Sequence, residues 1–447
     1  MKYHNEQQVR YGISVVRSFT TNPVALVTAQ NAAEQKERFI KKALPYVMAG
    51  KKIPASANPT FVYDEKLLKR TASYVNKIQK AISLILDNCI CENAQDEAIV
   101  KILKARLEDI YFTAKIAQSI LDKTDRNTAK YNGEKYDCPS GKLFAEAYEG
   151  IKNKQSGGTK NSILSEDVIK KLKGVELTAD KIAYVFCQGI SYLEHDPNHW
   201  KISIDEKTTA IDVRYQDHTV YIPKSKKADG LKTLSLLFHE IWSHLLSSAN
   251  GEIFFKTILK GTPLYGLAAL LANSNNETLY EGIAKMSDVR IGGEGELPKY
   301  AATVAIDQAR MGKSFVETAR ELFKYQDIKV KQPENDSEEA KQKAIEDAYR
   351  KALSAVWGQT YRVYRGATYV AKNPGKYVFP KDAAYLNGYR KALRLKPEKN
   401  LVYAQYSSMR IKDVKLLDSV FPEFKTIPKQ YDLQDMLNKA TGWILAA

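Results

Sequence analysis

Two histidines and a glutamate lie within six residues of this chain, in the segment His239-Glu240-Ile-Trp-Ser-His244. Neutral imidazoles bind zinc, and a carboxylate beside the ion can move protons, so these residue types could form a hydrolytic zinc centre. In the common HExxH motif both histidines lie on one helix face, at i and i+4. Here the spacing is HExxxH, which is one residue longer.

The longer spacing constrains the helix that carries the histidines. At roughly 100° per residue, positions i and i+5 lie about 140° apart around an α-helix, whereas i and i+4 lie about 40° apart. Both rings can face one ion only where the helix is locally widened, and a π-type turn provides that widening. The spacing therefore predicts a π-bulge between His239 and His244. The alternative is two unrelated histidines on a buried helix.

The surrounding segments are those of a packed domain. Residues 231–246 (LKTLSLLFHEIWSHLL) are apolar on most sides, as in a buried helix, and polar groups buried there need a metal or a partner. Just upstream, residues 210–215 and 216–223 alternate like two short strands, which predicts an outward-facing strand position for His218. We expect the edge of such a sheet, beside the metal helix, to accept an extended peptide by backbone pairing.

A catalytic zinc site needs a third protein ligand if one position stays open for water. Three candidates lie on a downstream segment that turns apolar: Glu277, Glu281 and Asp288. Their spacing does not choose among them. For any one of them, the alternative is a solvated carboxylate near a helix start.

Several motifs together resemble one known family, the QEGLA-motif metallopeptidases, which include the microtubule-associated tyrosine carboxypeptidases. The similar segments are HEIWSHLLSSANG, GTPLYG and ETLYEGIAKMSD, with Tyr280 where the family has Gln and Asp288 where many members have Glu. Residues 58–63 (NPTFVY) resemble the family's NPxFxY signature. Residues 361–366 and 379–388 resemble its RG…F(T/S)KDxxYLxG segment. The matches span roughly residues 20 to 420.

The resemblance implies a zinc-dependent carboxypeptidase with a zincin-like core. It implies that His239, His244 and Glu281 bind Zn²⁺ and that Glu240 is the general base. It also suggests removal of a C-terminal residue, with tyrosine as the family's own example.

A carboxypeptidase must bind a free carboxylate, and a bidentate arginine is the usual physical solution. Arg362, Arg365 and Lys381 lie in the segment that resembles RG…KD, so they are the candidate substrate-binding cations. An ion pair with an aspartate such as Asp382 is the alternative for Arg365. Tyr385 is a candidate donor to the developing oxyanion, against a purely packed role.

Composition narrows the class of protein. The 447 residues include 68 Lys and Arg against 52 Asp and Glu, a net charge of +16 that favours acidic partners. No nucleic-acid motif accompanies the charge, so we expect an acidic peptide or protein tail as substrate. The sequence contains neither a membrane span nor a secretory signal, and its four cysteines suit a reducing compartment, which together predict a cytoplasmic protein.

The predicted fold class is α+β and predominantly helical, with a short mixed sheet in a zincin-like core and added helical regions. Helical periodicity predicts helices over 64–86 and 97–121, and Ser165 is a predicted helix N-cap. The predicted divisions are a helical N-terminal region (1–150), a linker and helix (151–175), a catalytic domain (176–395, with a charged insertion at about 329–347) and a C-terminal extension (396–447), which ends in a helix around 433–445.

Two other functions fit the same motif. One is a binding protein that retains a metal site without catalysis, although structural zinc sites have four protein ligands and are often rich in cysteine. The other is a zinc hydrolase acting on a different amide or ester, which would share the same metal chemistry.

Overall fold

The protein is described by a computed structural model, in which helices account for 69% of residues and strands for 6%. The predominantly helical α+β class is therefore confirmed. The structure describes residues 1–136, 139–153, 162–193, 200–208, 210–214, 217–273, 278–291, 300–331, 337–373, 376–395, 406, 408–426 and 433–447.

Twenty α-helices are described, together with one π-helix (Leu237–Leu245) that joins the eleventh and twelfth. Those before the π-helix are α1 (Glu6–Ser18), α2 (Pro23–Val27), α3 (Ala32–Met48), α4 (Glu65–Ala72), α5 (Val75–Leu86), α6 (Ala94–Leu121), α7 (Asp125–Lys135), α8 (Gly141–Lys152), α9 (Glu166–Lys173), α10 (Ala179–Tyr192) and α11 (Gly230–Leu236). Those after it are α12 (Leu246–Ile258), α13 (Ala268–Ala272), α14 (Thr278–Ile291), α15 (Tyr300–Arg310), α16 (Phe315–Phe323), α17 (Glu338–Tyr364), α18 (Ala383–Leu395), α19 (Ile411–Val420) and α20 (Leu433–Ala446).

The strands are short and form three small sheets. They are β1 (Lys2–Tyr3), β2 (Cys89–Ile90), β3 (Glu176–Thr178), β4 (Lys201–Asp205), β5 (Asp212–Arg214), β6 (Thr219–Pro223) and β7 (Lys227–Asp229). The largest sheet has the order β4-β6-β5, with β4 parallel and β5 antiparallel to β6. This is the short mixed sheet that the sequence predicted, and β5 and β6 are its two predicted strands.

His218 does not lie on a strand, although the sequence predicted a strand position for it. It precedes β6 in a turn with a left-handed φ of 51°, a conformation that histidine adopts more readily than most residues. Its Nε2 lies 3.4 Å from Oε2 of Glu252, and its ring meets Trp200 edge-on at 5.2 Å. The residue thus connects the sheet to α12 instead of pointing outward from a strand.

Three large hydrophobic cores hold most of the helices together, and a fourth, small one lies between α14 and α18. The first joins α2, α3 and α8 to α15, α16 and α17, and the second joins α1, α5 and α6 to α12, α13 and α19. The third surrounds the π-helix and is built by α9, α10, β6, α11 and α20. Helices of the predicted N-terminal region thus share two cores with later segments. The predicted division into domains remains a prediction.

Helix boundaries follow the predictions with one exception. The helix predicted over 64–86 is two helices, α4 and α5; both pack on α6, and α5 also packs on α1. Ser165 caps α9 as predicted, since its hydroxyl accepts a hydrogen bond from the N–H of Val168. The predicted final helix is α20. Most of the predicted linker, and residues 332–336 of the charged insertion, lie outside the described residues.

Within the described part of the chain, none of the helices is both long enough and apolar enough to cross a bilayer.

Candidate metal centre

The helix that carries HExxxH is a π-helix over nine residues, Leu237–Leu245, so the predicted widening is confirmed. The N–H of Leu246 donates to the carbonyl of Ile241, five residues earlier, and the hydroxyl of Ser243 donates to the carbonyl of Phe238 at 2.9 Å. The second bond gives a carbonyl in the widened turn a partner on its own helix. The sequence did not predict this role for Ser243, although a hydroxyl side chain inside the motif could have indicated a hydrogen bond to the helix backbone.

The widening brings the two imidazoles together. The ring centroids of His239 and His244 are 4.8 Å apart, with the ring planes at 90°. On the opposite side of the helix, Leu237, Ile241 and Leu245 are fully buried in the third core. Packing of this apolar face therefore fixes the rotation of the helix that presents both histidines.

Helix α14 brings the third candidate ligand to the same place. Oε2 of Glu281 lies 3.8 Å from Nε2 of His239, and the candidate ligand atoms of His239, His244 and Glu281 all lie within 4.8 Å of one another. The other two sequence candidates are not comparable, because Glu277 and the side chain of Asp288 lie outside the described residues.

The donor set fits zinc. Zinc bonds of about 2.0–2.1 Å put the ligand atoms of a tetrahedral site about 3.4 Å apart, so these side chains need only small shifts to close on an ion. His244 and Glu281 are buried, at 6% and 8% exposure, while His239 is half-buried. Burying a carboxylate between two imidazoles is costly without a compensating charge, which favours a cation at this point.

A glycine contact determines where Glu281 sits. A Cβ added to its neighbour Gly282 would lie only 2.0 Å from the carbonyl carbon of Gly388 on α18. The backbones of α14 and α18 therefore touch at this crossing, and no larger residue fits at Gly282. The two glycines belong to the YEGIA and YLNG motifs, so the close contact of the helices explains why both motifs contain glycine.

Tyr280 lies against a histidine of the group. Its ring is stacked on His244 with centroids 3.7 Å apart and planes 25° from parallel. The sequence marked Tyr280 only as a departure from the family's Gln. The contact joins two separate helices, α14 and the π-helix. The spacing of residues within either helix could therefore not have predicted it.

Glu240, the predicted base, is half-buried, and its charge acts on Lys226. Burial lowers the pKa of Lys226 and the charge of Lys232 lowers it further, whereas the charge of Glu240 raises it. Lys226 lies in the turn between β6 and β7, where its N–H donates to the carbonyl of Pro223. Nothing in the sequence indicated that the charge of Glu240 acts on this lysine.

The other predicted cations gather at the start of α18. Nε of Arg362 lies 3.2 Å from Oδ2 of Asp382, and Lys381 precedes that aspartate in the chain. The guanidinium of Arg365 lies 5.4 Å from the ring centre of Tyr361, and burial lowers its pKa, with the charge of Arg362 adding to the effect. The aspartate pairing considered for Arg365 is thus made by Arg362.

Tyr385 lies on the first turn of α18, three residues before Gly388. At 1.5 Å per residue, Tyr385 lies about 4.5 Å along the helix axis from Gly388. Asp382 lies about 9 Å from Gly388 along the same axis. Helix α18 therefore connects the cationic group at its start with the segment that carries Glu281.

No protein-family model matches the chain, and neither a curated protein nor a solved structure shows significant similarity to it. The family resemblance rests on the motifs themselves and stays a prediction.

Proposed function

We propose that this protein is a zinc metallopeptidase with a zincin-like core, and that it removes a C-terminal residue from an acidic protein tail. The observation that carries the proposal is the convergence of His239, His244 and Glu281 within 4.8 Å of one another, beside Glu240. The π-helix supports it further, because such widened turns cluster at functional sites.

The chemistry follows from the donor set. A zinc ion held by His239, His244 and Glu281 would polarise a carbonyl and lower the pKa of a water molecule toward ~7. Glu240 takes the proton of the attacking water and delivers it to the leaving amine. Tyr385 donates a hydrogen bond to the oxyanion that develops on the substrate.

Strand β5 is the proposed site for the peptide backbone. It is an outer strand of the β4-β6-β5 sheet as described, and it packs against the π-helix. An extended substrate that pairs with β5 would run past the metal group in a single orientation, with its main chain held by hydrogen bonds. The net charge of +16 favours an acidic sequence in that position.

Two cationic groups compete as the anchor of the substrate carboxylate. One is the predicted set of Arg362, Arg365 and Lys381, in which Arg362 already pairs with Asp382. The other is Lys226, whose pKa is raised by the charge of Glu240. An exopeptidase cuts one bond from the terminus, so an anchor close to the base suits it.

A purely structural zinc site is less consistent with these residues. Such sites have four protein ligands, often thiolates, whereas the group in the described residues offers three nitrogen and oxygen donors. The described cysteines, Cys89, Cys91 and Cys187, are outside that group. An open coordination position is what hydrolysis requires.

Mass spectrometry of a peptide library with free or amidated C-termini tests the proposal. We expect loss of one residue from free-acid peptides only, with acidic sequences favoured and added salt reducing that preference. Glu240→Gln should abolish turnover while keeping zinc. Internal cleavage, or equal cleavage of amidated peptides, would contradict exopeptidase action. Hydrolysis of simple esters or amides without any peptide cleavage would favour the other class of zinc hydrolase.

A further inference from the structure

The His244 imidazole is contacted on two sides by aromatic rings. Tyr280 stacks on it at 3.7 Å, nearly parallel, and the ring of His239 meets it perpendicularly at 4.8 Å. The Tyr280 contact is closer than the 4.5–7 Å usual for aromatic pairs, so the two rings lie face to face. Tyr280 directly precedes Glu281 on α14.

We propose that Tyr280 is a positioning residue, which holds the plane of the His244 imidazole so that its ring nitrogen meets the ion shared with His239 and Glu281. The inference rests on the proposed zinc centre. A histidine ring turns broadly about its Cβ–Cγ bond, and this turning decides where its nitrogens point. With a phenol ring stacked on its face, the imidazole cannot turn about this bond unless the Tyr280 ring moves as well.

The position of Tyr280 is itself fixed. Gly282, two residues later, is in backbone contact with Gly388, so α14 cannot slide or tilt at this point without breaking the crossing. The same short segment therefore supplies a ligand, Glu281, and a support for another ligand, His244. Glutamine, the residue of the resembled family, has no ring face and could not act in this way.

Electrostatics makes the stack dependent on the metal. The face of a phenol ring is electron-rich and attracts positive charge. An imidazole that gives its lone pair to zinc becomes more positive than the free neutral ring, so the stack strengthens when the ion binds. By linkage, removal of the phenol ring must weaken ion binding by the same factor.

Metal affinity separates this role from simple packing. We expect Tyr280→Leu and Tyr280→Gln to bind zinc about three- to tenfold more weakly than wild type in chelator competition, with tenfold equal to about 1.4 kcal/mol. Tyr280→Phe keeps the ring and should stay within twofold of wild type. The visible spectrum of the cobalt-substituted protein should shift in the Leu and Gln variants and not in the Phe variant.

Tyr131→Leu is the matched control, since Tyr131 is a partly buried tyrosine on α7 that packs in the first core, to which α14 does not contribute. It should lower the melting temperature without changing zinc affinity. Unchanged zinc affinity and an unchanged cobalt spectrum in Tyr280→Leu would overturn the role of Tyr280 but leave the proposed zinc centre standing. Failure of the wild-type protein to bind either metal would overturn the proposed zinc centre and the inference together.

Discussion

Gly282→Ala tests whether the α14–α18 crossing positions the metal centre. The new methyl carbon would start 2.0 Å from the Gly388 carbonyl carbon, whereas carbon atoms in contact need about 3.5–4.0 Å. The two helices must therefore separate by about 1.5–2 Å. Overpacking costs about 1–3 kcal/mol, and we take the upper value because the obstacle is backbone. Alanine returns nearly 1 kcal/mol of helix propensity, which leaves a net destabilisation of about 2 kcal/mol.

The displacement should also affect metal binding. Ligand positions are tolerated within about 0.2 Å, so moving Glu281 by 1.5 Å or more should weaken zinc binding at least tenfold. Urea unfolding and chelator competition measure the two effects. Gly358→Ala on α17 is the control, because a Cβ there meets nothing within 4 Å and should stabilise slightly without changing zinc affinity. Unchanged stability and unchanged zinc affinity in Gly282→Ala would refute this reasoning.

Three further predictions concern other parts of the chain. Arg106 is 1% exposed and pairs with Asp413 at 2.9 Å. Asp413→Ala removes that partner from a buried charge, so urea unfolding should show a loss of stability of about 3–5 kcal/mol. A loss below about 1 kcal/mol would contradict this. Burial raises the pKa of Cys89 to about 11, so its alkylation rate, followed by mass spectrometry, should rise about tenfold per pH unit from pH 8 to 10; a plateau below pH 9 would contradict it. Lys226→Gln should lower kcat/KM for free-acid peptides about tenfold and leave kcat/KM for amidated peptides unchanged. Lys227→Gln removes the same charge from an exposed neighbour and should change neither value. Equal effects of the two substitutions would exclude Lys226 as the anchor.

The parts of the structure that follow local rules could be read from the sequence. The HExxxH spacing predicted the π-helix, because the angle between His239 and His244 is set by the number of residues between them. Ser165 was identifiable as a cap and the β5–β6 strands by their alternation, since both features depend on neighbouring residues alone.

The parts set by tertiary contacts could not be read in the same way. Tyr280 reaches His244 only because α14 packs on the π-helix. Lys226 and Glu240 are 14 positions apart in the sequence, so the effect of the Glu240 charge on the lysine also depends on the fold. The sequence could not decide which arginine at the end of α17 pairs with Asp382; Nε of Arg362 lies 3.2 Å from its Oδ2, and the charge of Asp382 also acts on Arg365. His218 left its predicted strand because it contacts α12 from a left-handed turn.

The metal content of the purified protein shows whether His239, His244 and Glu281 hold zinc. We expect one zinc per chain in the wild type and in Glu240→Gln, and loss of zinc in His239→Ala and in Glu281→Ala. Stoichiometric zinc in Glu281→Ala would move the third ligand to Glu277 or Asp288. A wild-type chain that binds no zinc, even after reconstitution, would exclude a zinc centre at these residues.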